Sequence, residues 1–207
     1  LWREGKPAVG GFLSIPHAFS AEMMAHTGLD WLCVDLQHGA IDYDDAVNML
    51  TAISTTAVTP FVRVPWNEPS IIMKALDAGA YGIVVPLVNN REEAERVVWA
   101  AKYPPQGGRS SGPARAVLYG GADYQAHAND EIAVIVMIET VEGIKNIDEI
   151  ASTPGVGIIF AGVLGDMPRS LGVTEDAPEM KGAADTILAA CKKHNVVCGF
   201  PVRPDNI

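Results

Sequence analysis

Five polar residues that could take part in chemistry lie in or just beyond short apolar runs of this sequence. They are Asp35 and His38 after one run, Arg63 within the next, Glu139 after a third and Asp166 after a fourth. Three carboxylates, one imidazole and one guanidinium can bind a divalent cation, move protons and hold an anionic substrate group. They can act together only in a fold that brings the ends of these runs to one place.

Glu139 and Asp166 are candidate metal ligands. Together they could hold a hard divalent cation such as Mg²⁺ or Mn²⁺ and leave positions open for water and substrate. A 2-oxo acid would fill two of these positions, and the metal would stabilise the enolate formed when a bond next to the carbonyl breaks. The alternative is that both acids cap or begin helices, because Thr140 and Met167 follow them where helices could start.

Arg63 and His38 are candidates for substrate binding and proton transfer. Arg63 lies between Val62 and Val64, where an unpaired guanidinium would be costly to bury. Its partner could be a structural carboxylate or an oxygen of the substrate. His38 follows Asp35 by three residues, so this carboxylate could orient the imidazole as a general acid and base. A purely structural histidine is the alternative.

The positions of the lysines disfavour imine catalysis. A Schiff base needs a lysine at the same mouth, but no lysine lies in or at the end of an apolar run. This favours metal catalysis. Trp66, three residues after Arg63, is interpreted as a wall of the pocket or as a packed aromatic residue.

Apolar runs rich in valine and isoleucine alternate with segments of helical period, which is typical of βα units around a parallel sheet. The carboxyl ends of parallel barrel strands converge on one mouth, so the five candidates would meet there. Seven runs are predicted as strands: Val9–Ser14, Trp31–Leu36, Thr59–Val64, Gly82–Val88, Ala133–Ile138, Gly157–Ala161 and Val196–Phe200.

The pattern predicts an α/β fold, a modified (β/α)8 TIM-type barrel, as a single domain over residues 1–207. A barrel has eight units, so we expect the last strand and helix to be missing from this chain. A doubly wound open sheet is the competing architecture, but Ser14-Ile15-Pro16-His17 is not its glycine-rich loop. The long irregular stretch Pro104–Asn129 is predicted to be a functional loop over one mouth of the barrel.

Composition excludes several classes of partner. The net charge of −10 would repel a phosphate backbone or an anionic membrane surface, so neither nucleic acid nor membrane is expected. No apolar run approaches the length of a membrane span. The three cysteines lack a metal-ligand or redox spacing, which indicates free thiols in a reducing compartment and predicts a cytoplasmic protein.

At these residues the sequence resembles the HpcH/HpaI aldolase family, the class II pyruvate aldolases of the phosphoenolpyruvate/pyruvate superfamily. The similar segments follow the family's order through nearly the whole chain. They are Ser20-Ala21-Glu22, Gly28-Leu29-Asp30-Trp31, Asp35-Leu36-Gln37-His38-Gly39, Val62-Arg63-Val64-Pro65-Trp66-Asn67, Tyr103-Pro104-Pro105 with Gly108-Arg109-Ser110, and Ile138-Glu139-Thr140.

The resemblance implies a modified barrel with an exchanged C-terminal helix in a homo-hexamer. It implies Mg²⁺, or Mn²⁺ or Co²⁺, on Glu139 and on Asp166 after the sixth strand. It further implies substrate binding by Arg63, with Trp66 and Gly162 beside it, and acid–base work by His38 with Asp35. Two segments depart from the family: Gly162–Met167 lacks the usual proline and is one residue longer, and Met137 replaces a glutamine.

The expected function is that of a metal-dependent carbon–carbon lyase that forms the enolate of pyruvate from a 2-oxo acid. The longer motifs resemble a fungal branch of the family that decarboxylates oxaloacetate and adds the enolate to a 2-pyrone. The alternative reaction is cleavage of a 4-hydroxy-2-oxo acid to pyruvate and an aldehyde. A citramalyl- or malyl-thioester lyase and a non-catalytic barrel subunit are further alternatives.

Overall fold

The computed structural model describes residues 1–202, apart from the side chain of Arg3. Seven strands form one sheet in sequence order, and each neighbouring pair is parallel. Each strand lies within a predicted run, which confirms the parallel α/β fold. The strands are β1 Gly10–Leu13, β2 Trp31–Asp35, β3 Thr59–Arg63, β4 Gly82–Val85, β5 Ala133–Ile138, β6 Ile158–Ala161 and β7 Val197–Gly199.

Helices connect the strands, and side-chain caps fix where several of them begin. Asp42 accepts hydrogen bonds from the backbone N–H groups of Asp44 and Asp45, and Asn90 accepts one from Glu93. No helix within residues 1–202 is long and apolar enough to cross a membrane. The helices are α1 Ala18–Ala25, α2 Tyr43–Ile53, α3 Pro69–Asp77, α4 Arg91–Ala101, α5 Ala116–Gly120, α6 Tyr124–Glu131, α7 Val141–Lys145, α8 Ile147–Ala151, α9 Asp166–Leu171 and α10 Pro178–His194.

Alternate strand residues face two separate apolar layers. The larger layer packs the sheet against the helices and contains, for example, Val34, Val62 and Val136. The smaller layer fills the inner side of the sheet, and its buried members are Cys33, Phe61, Val84, Ile135, Met137 and Ile158. Because strands buried on both faces need no polar positions, they appear in the sequence as unbroken apolar runs.

The sheet is strongly curled. The rings of Phe12 in β1 and Phe160 in β6 have centroids 6.0 Å apart. Strands in a sheet are spaced by about 4.8 Å, so a flat sheet would separate β1 from β6 by about 24 Å. The curl favours a barrel-type arrangement over the open doubly wound sheet.

The connection Pro104–Asn129 differs from its prediction, since it contains α5 and most of α6. Its arginines contact the end of α3: Arg109 donates to Asp77 at 2.7 Å, and Arg115 donates to the carbonyl of Ala78 at 2.6 Å. These residues precede β4, so the connection packs beside the amino-terminal ends of the strands. It therefore lies away from the mouth at which the five polar candidates were expected.

Candidate active site at the carboxyl ends of the strands

Asp35 and Arg63 form an ion pair at the ends of β2 and β3. They are paired in register, and Arg63 Nε and Nη2 donate to the two carboxylate oxygens at 2.8 and 2.5 Å. Burial opposes the charge on both groups, but the hydrogen bonds and mutual attraction outweigh it. They lower the pKa of Asp35 and raise the pKa of Arg63. The structural carboxylate required by Arg63 is therefore Asp35.

One edge of the Arg63 guanidinium remains available. Within residues 1–202, Nη1 makes no hydrogen bond, while Nε and Nη2 are used by Asp35. The guanidinium lies over the Phe12 ring, 4.8 Å from its centroid. Arg63 is thus held on one edge and one face, and its free edge can bind an anionic oxygen.

His38 lies beside this pair but contacts it through its backbone. Its N–H donates to Asp35 Oδ1 at 3.2 Å, as does the N–H of Gln37 at 3.1 Å. No hydrogen bond joins the His38 ring to Asp35 in the described part of the chain, and the ring is exposed. Asp35 therefore orients Arg63 rather than the imidazole.

Glu139 is the most deeply buried carboxylate of the candidate set after Asp35, at 5% exposed. Its Oε2 accepts a hydrogen bond of 2.9 Å from the backbone N–H of Leu87. Burial raises the pKa of Glu139; the Leu87 N–H opposes this shift, and the negative charge of Asp166 adds to it. Arg63 and His38 also act on this pKa, each lowering it. The predicted site residues that follow β2, β3 and β6 therefore all affect the pKa of Glu139 at the end of β5.

Gly162 and Asp166 follow β6 on the other side of Glu139. A Cβ atom on Gly162 would lie 2.5 Å from Glu139 Cγ, so only glycine permits this close approach. Asp166 is the first residue of α9 and is exposed. Trp66, three residues beyond the end of β3, is 59% exposed and is not packed into the core.

Leu87 is a site residue that the sequence did not reveal. Its φ of 55° is in the left-handed region, which leucine rarely adopts. Its contribution is a backbone N–H aimed at a carboxylate 52 residues away. A leucine in an apolar run carries no sequence signal of this role.

The donor set at Glu139 and Asp166 fits an open cation site. Within residues 1–202 there is no group of three or more histidine, cysteine or acidic side chains placed to enclose a metal ion. Mg²⁺ is commonly held by one or two carboxylates, with water and substrate oxygens completing its shell. One buried carboxylate, Glu139, and one exposed carboxylate, Asp166, match that arrangement.

Comparison with known proteins gives matches along nearly the whole chain. The family model of the HpcH/HpaI aldolase/citrate lyase family matches residues 9–203. The chain is 41% identical over 206 residues to a hydroxypyruvate/pyruvate aldolase of Rhizorhabdus wittichii, covering 96% of this chain and 82% of the relative. It is 38% identical over 203 residues to a 5-keto-4-deoxy-D-glucarate aldolase of Citrobacter koseri, covering 95% and 79%.

Solved structures agree with the described fold. A HpcH/HpaI aldolase/citrate lyase family protein from Burkholderia cenocepacia superposes with a TM-score of 0.87 at 35% identity, covering 93% of this chain and 79% of that one. Macrophomate synthase superposes with a TM-score of 0.82 at 27% identity, covering 92% and 69%.

Proposed function

Because the chain belongs to the HpcH/HpaI aldolase/citrate lyase family, a family of carbon–carbon lyases, we propose that it is a divalent-metal-dependent class II aldolase. Its reaction would form the enolate of pyruvate from a 2-oxo acid. One observation carries the proposal: the parallel strands β2, β3, β5 and β6 end on the same edge of the sheet, where Arg63 is oriented by Asp35 and the buried Glu139 packs against Gly162, ahead of Asp166. His38 follows β2 at the same edge. These residues supply metal ligands, an anion-binding cation and a proton carrier.

Glu139 and Asp166 would hold Mg²⁺, Mn²⁺ or Co²⁺, which supplies positive charge to stabilise the enolate oxygen. Arg63 would bind the carboxylate or keto oxygen of the 2-oxo acid through its free Nη1 edge. Its pairing with Asp35 raises its pKa and keeps it charged. The arginine is thus oriented before substrate arrives, so little conformational freedom is lost on binding.

His38 would move the protons. In a 4-hydroxy-2-oxo acid, the imidazole would take the proton of the 4-hydroxyl group as the bond between C3 and C4 breaks. The aldehyde then leaves, and the enolate carbon takes a proton to give pyruvate. The exposed ring of His38 can exchange its proton with solvent between these steps. Trp66 and Gly162 would line the substrate pocket, with Gly162 keeping the backbone against Glu139.

Cleavage of a 4-hydroxy-2-oxo acid is the preferred reaction. Two relatives at 41% and 38% identity are named aldolases, and one acts on 5-keto-4-deoxy-D-glucarate by its name. Decarboxylation of oxaloacetate with addition of the enolate to a 2-pyrone is the second candidate, favoured by the structural similarity to macrophomate synthase. Both reactions need the same enolate, so the shared site is compatible with either.

Product analysis tests the proposal. The chain is incubated with Mg²⁺ and 5-keto-4-deoxy-D-glucarate, and pyruvate is measured with lactate dehydrogenase. In parallel it receives oxaloacetate, with and without a 2-pyrone. We expect pyruvate from the first substrate, with loss of activity after EDTA treatment and in Glu139→Gln. Absence of turnover on both substrates, or turnover that persists in EDTA, would overturn the proposal.

We further propose a modified (β/α)8 barrel that assembles as a homo-hexamer. The curl that brings Phe12 to Phe160 supports the barrel. The outer face of α1 supports assembly, because Phe19 and Met23 are 61% and 59% exposed on successive turns of one helix. Light scattering after size-exclusion chromatography tests the assembly, and a mass of one chain would contradict it.

A further inference from the structure

We infer that Asn89 is a positioning residue for Glu139, acting through the backbone of Leu87. This inference rests on the proposed role of Glu139 as a metal ligand. Asn89 lies in the segment between β4 and α4 and does not itself contact Glu139 in the hydrogen-bond network. Its side chain instead forms hydrogen bonds to two chain segments, one at Leu87 and one directly after Glu139. The distance between these segments determines the hydrogen bond from Leu87 to Glu139.

The first segment is the strained turn at Leu87. With a φ of 55°, Leu87 would relax toward ordinary backbone angles unless its neighbours held it. Relaxation would turn its N–H away from Glu139 Oε2, which it now contacts at 2.9 Å. Asn89 Nδ2 donates to the carbonyl of Leu87 at 2.8 Å. The side-chain amide of Asn89 therefore fixes the peptide group that follows Leu87.

The second segment begins directly after Glu139. The hydroxyl of Thr140 donates to Asn89 Oδ1 and accepts from the N–H of Gly143, which caps α7. The side chain of Asn89 is thus hydrogen-bonded to Leu87 through its nitrogen and to the residue after Glu139 through its oxygen. One side chain spans both ends of the contact.

Backbone hydrogen bonds hold Asn89 itself in place. Its N–H donates to Glu93 Oε2 at 2.7 Å, and its carbonyl accepts from Asn146 Nδ2 at 2.8 Å. The residue is therefore anchored to α4 and to the junction of α7 and α8. Because the backbone of Asn89 is fixed by these helices, its side-chain amide is held in place relative to the Glu139 carboxylate.

Partners that orient metal-binding side chains typically change metal affinity by about 10–100-fold when they are removed. Asn89 acts on Glu139 through Leu87, so we expect Asn89→Ala to raise the Kd for Mn²⁺ by the low end of this range, about 10-fold. The apo protein is titrated with Mn²⁺ alone, and free Mn²⁺ is measured by electron paramagnetic resonance. This readout is independent of turnover.

Asn90→Ala is the matched control. Asn90 is the next residue and the same amino acid, and its Oδ1 caps α4 by accepting from the N–H of Glu93 at 2.9 Å. Its loss should lower the Tm without moving the Kd for Mn²⁺. If Asn90→Ala raises this Kd as much as Asn89→Ala does, Asn89 is merely structural and the inference is wrong.

Asn89→Asp provides a second test that also applies if Asn89→Ala does not fold. The aspartate keeps an oxygen that can accept from Thr140 but replaces Nδ2 by a second oxygen, so it cannot donate to the carbonyl of Leu87. Its added negative charge alone would strengthen binding of a cation. We expect weaker Mn²⁺ binding despite this charge, because the donor to Leu87 is lost; tighter or unchanged binding would overturn the inference.

Glu139→Gln in the same titration separates this inference from the proposed function. If Glu139→Gln leaves the Kd for Mn²⁺ unchanged, the metal role of Glu139 is wrong. If Glu139→Gln weakens binding and neither Asn89 variant does, only the role of Asn89 is wrong.

Discussion

Asp35 and Arg63 lie opposite each other on neighbouring strands, and the guanidinium uses both oxygens of the carboxylate. Each partner thereby makes burial of the other tolerable at the centre of the candidate site. Removing either residue would leave an unpaired charge in a largely buried position. This pair is therefore a structural unit, and in the proposed function it is also the unit that binds the substrate.

We expect Asp35→Asn to destabilise the protein more at pH 7 than at pH 3. The folded pKa of Asp35 lies below the unfolded value of about 3.9. Its stabilisation is therefore complete above about pH 5 and is lost as the pH falls through the folded pKa. At pH 7 the loss should be about 3 kcal/mol. Urea unfolding at both pH values measures it, and an equal loss at both would contradict the assignment.

Arg63→Lys should keep the charge and lose the function. Lysine cannot bind Asp35 through a planar fork and present a free edge at the same time. We expect kcat/KM for pyruvate formation to fall by about 10²–10³-fold, the range for loss of a donor to a developing oxyanion. Arg91→Lys is the control, because Arg91 forms an exposed ion pair with Glu95. Wild-type kinetics in Arg63→Lys would exclude substrate binding by its guanidinium.

Gly162→Ala should reduce both activity and stability. The new methyl group would lie 2.5 Å from Glu139 Cγ and 3.1 Å from Oε1, so the carboxylate must move. We expect kcat/KM to fall at least about 10-fold through the displaced Glu139.

Gly182→Ala is its matched control. Gly182 lies in α10 with open space at its Cβ position, so alanine should stabilise the helix by about 1 kcal/mol and leave activity unchanged. Thermal unfolding and the pyruvate assay distinguish the two variants. A Gly162→Ala protein with normal kinetics would show that Glu139 need not stay in place.

Lys102 should make stability rise with pH in the alkaline range. Burial lowers its pKa to about 8 from the usual 10.5, although its Nζ donates to the carbonyls of Asn129 and Ile132. Between these values the unfolded chain binds the proton and the folded chain does not, so stability increases with pH. The free energy of unfolding of the wild type, measured relative to that of Lys102→Met, should increase between pH 7 and 9.5. An equal rise in the Lys102→Met variant would show that Lys102 does not cause the trend.

The strands were predictable because burial on both faces leaves a local pattern. The boundaries of β5 match the predicted run residue for residue, and the other strands fall inside theirs. The polar residues at the strand ends were visible for the same reason, since each lies in or just beyond an apolar run. The sequence was therefore sufficient to predict most of the fold and to nominate the charged residues of the candidate site.

The contacts between those residues were not predictable from spacing. The spacing predicts that Asp35 pairs with His38, three residues away, but its carboxylate accepts from Arg63, 28 residues away on the next strand. The role of Leu87 depends on a backbone group and an unusual φ, which no residue type encodes. The glycines and prolines of the connection Pro104–Asn129 predict irregular structure and so hide its two short helices.

The two-layer alternation described above also limits how this protein can change. In β5, Met137 faces the inner layer, whereas Val136 and Ile138 face the helices. Deleting one residue from this strand would turn the Glu139 carboxylate toward the helix layer and place an aliphatic side chain at the candidate site. New substrate specificities can therefore arise by exchanging side chains or by changing the lengths of the surface turns. The number of residues in each strand must stay the same.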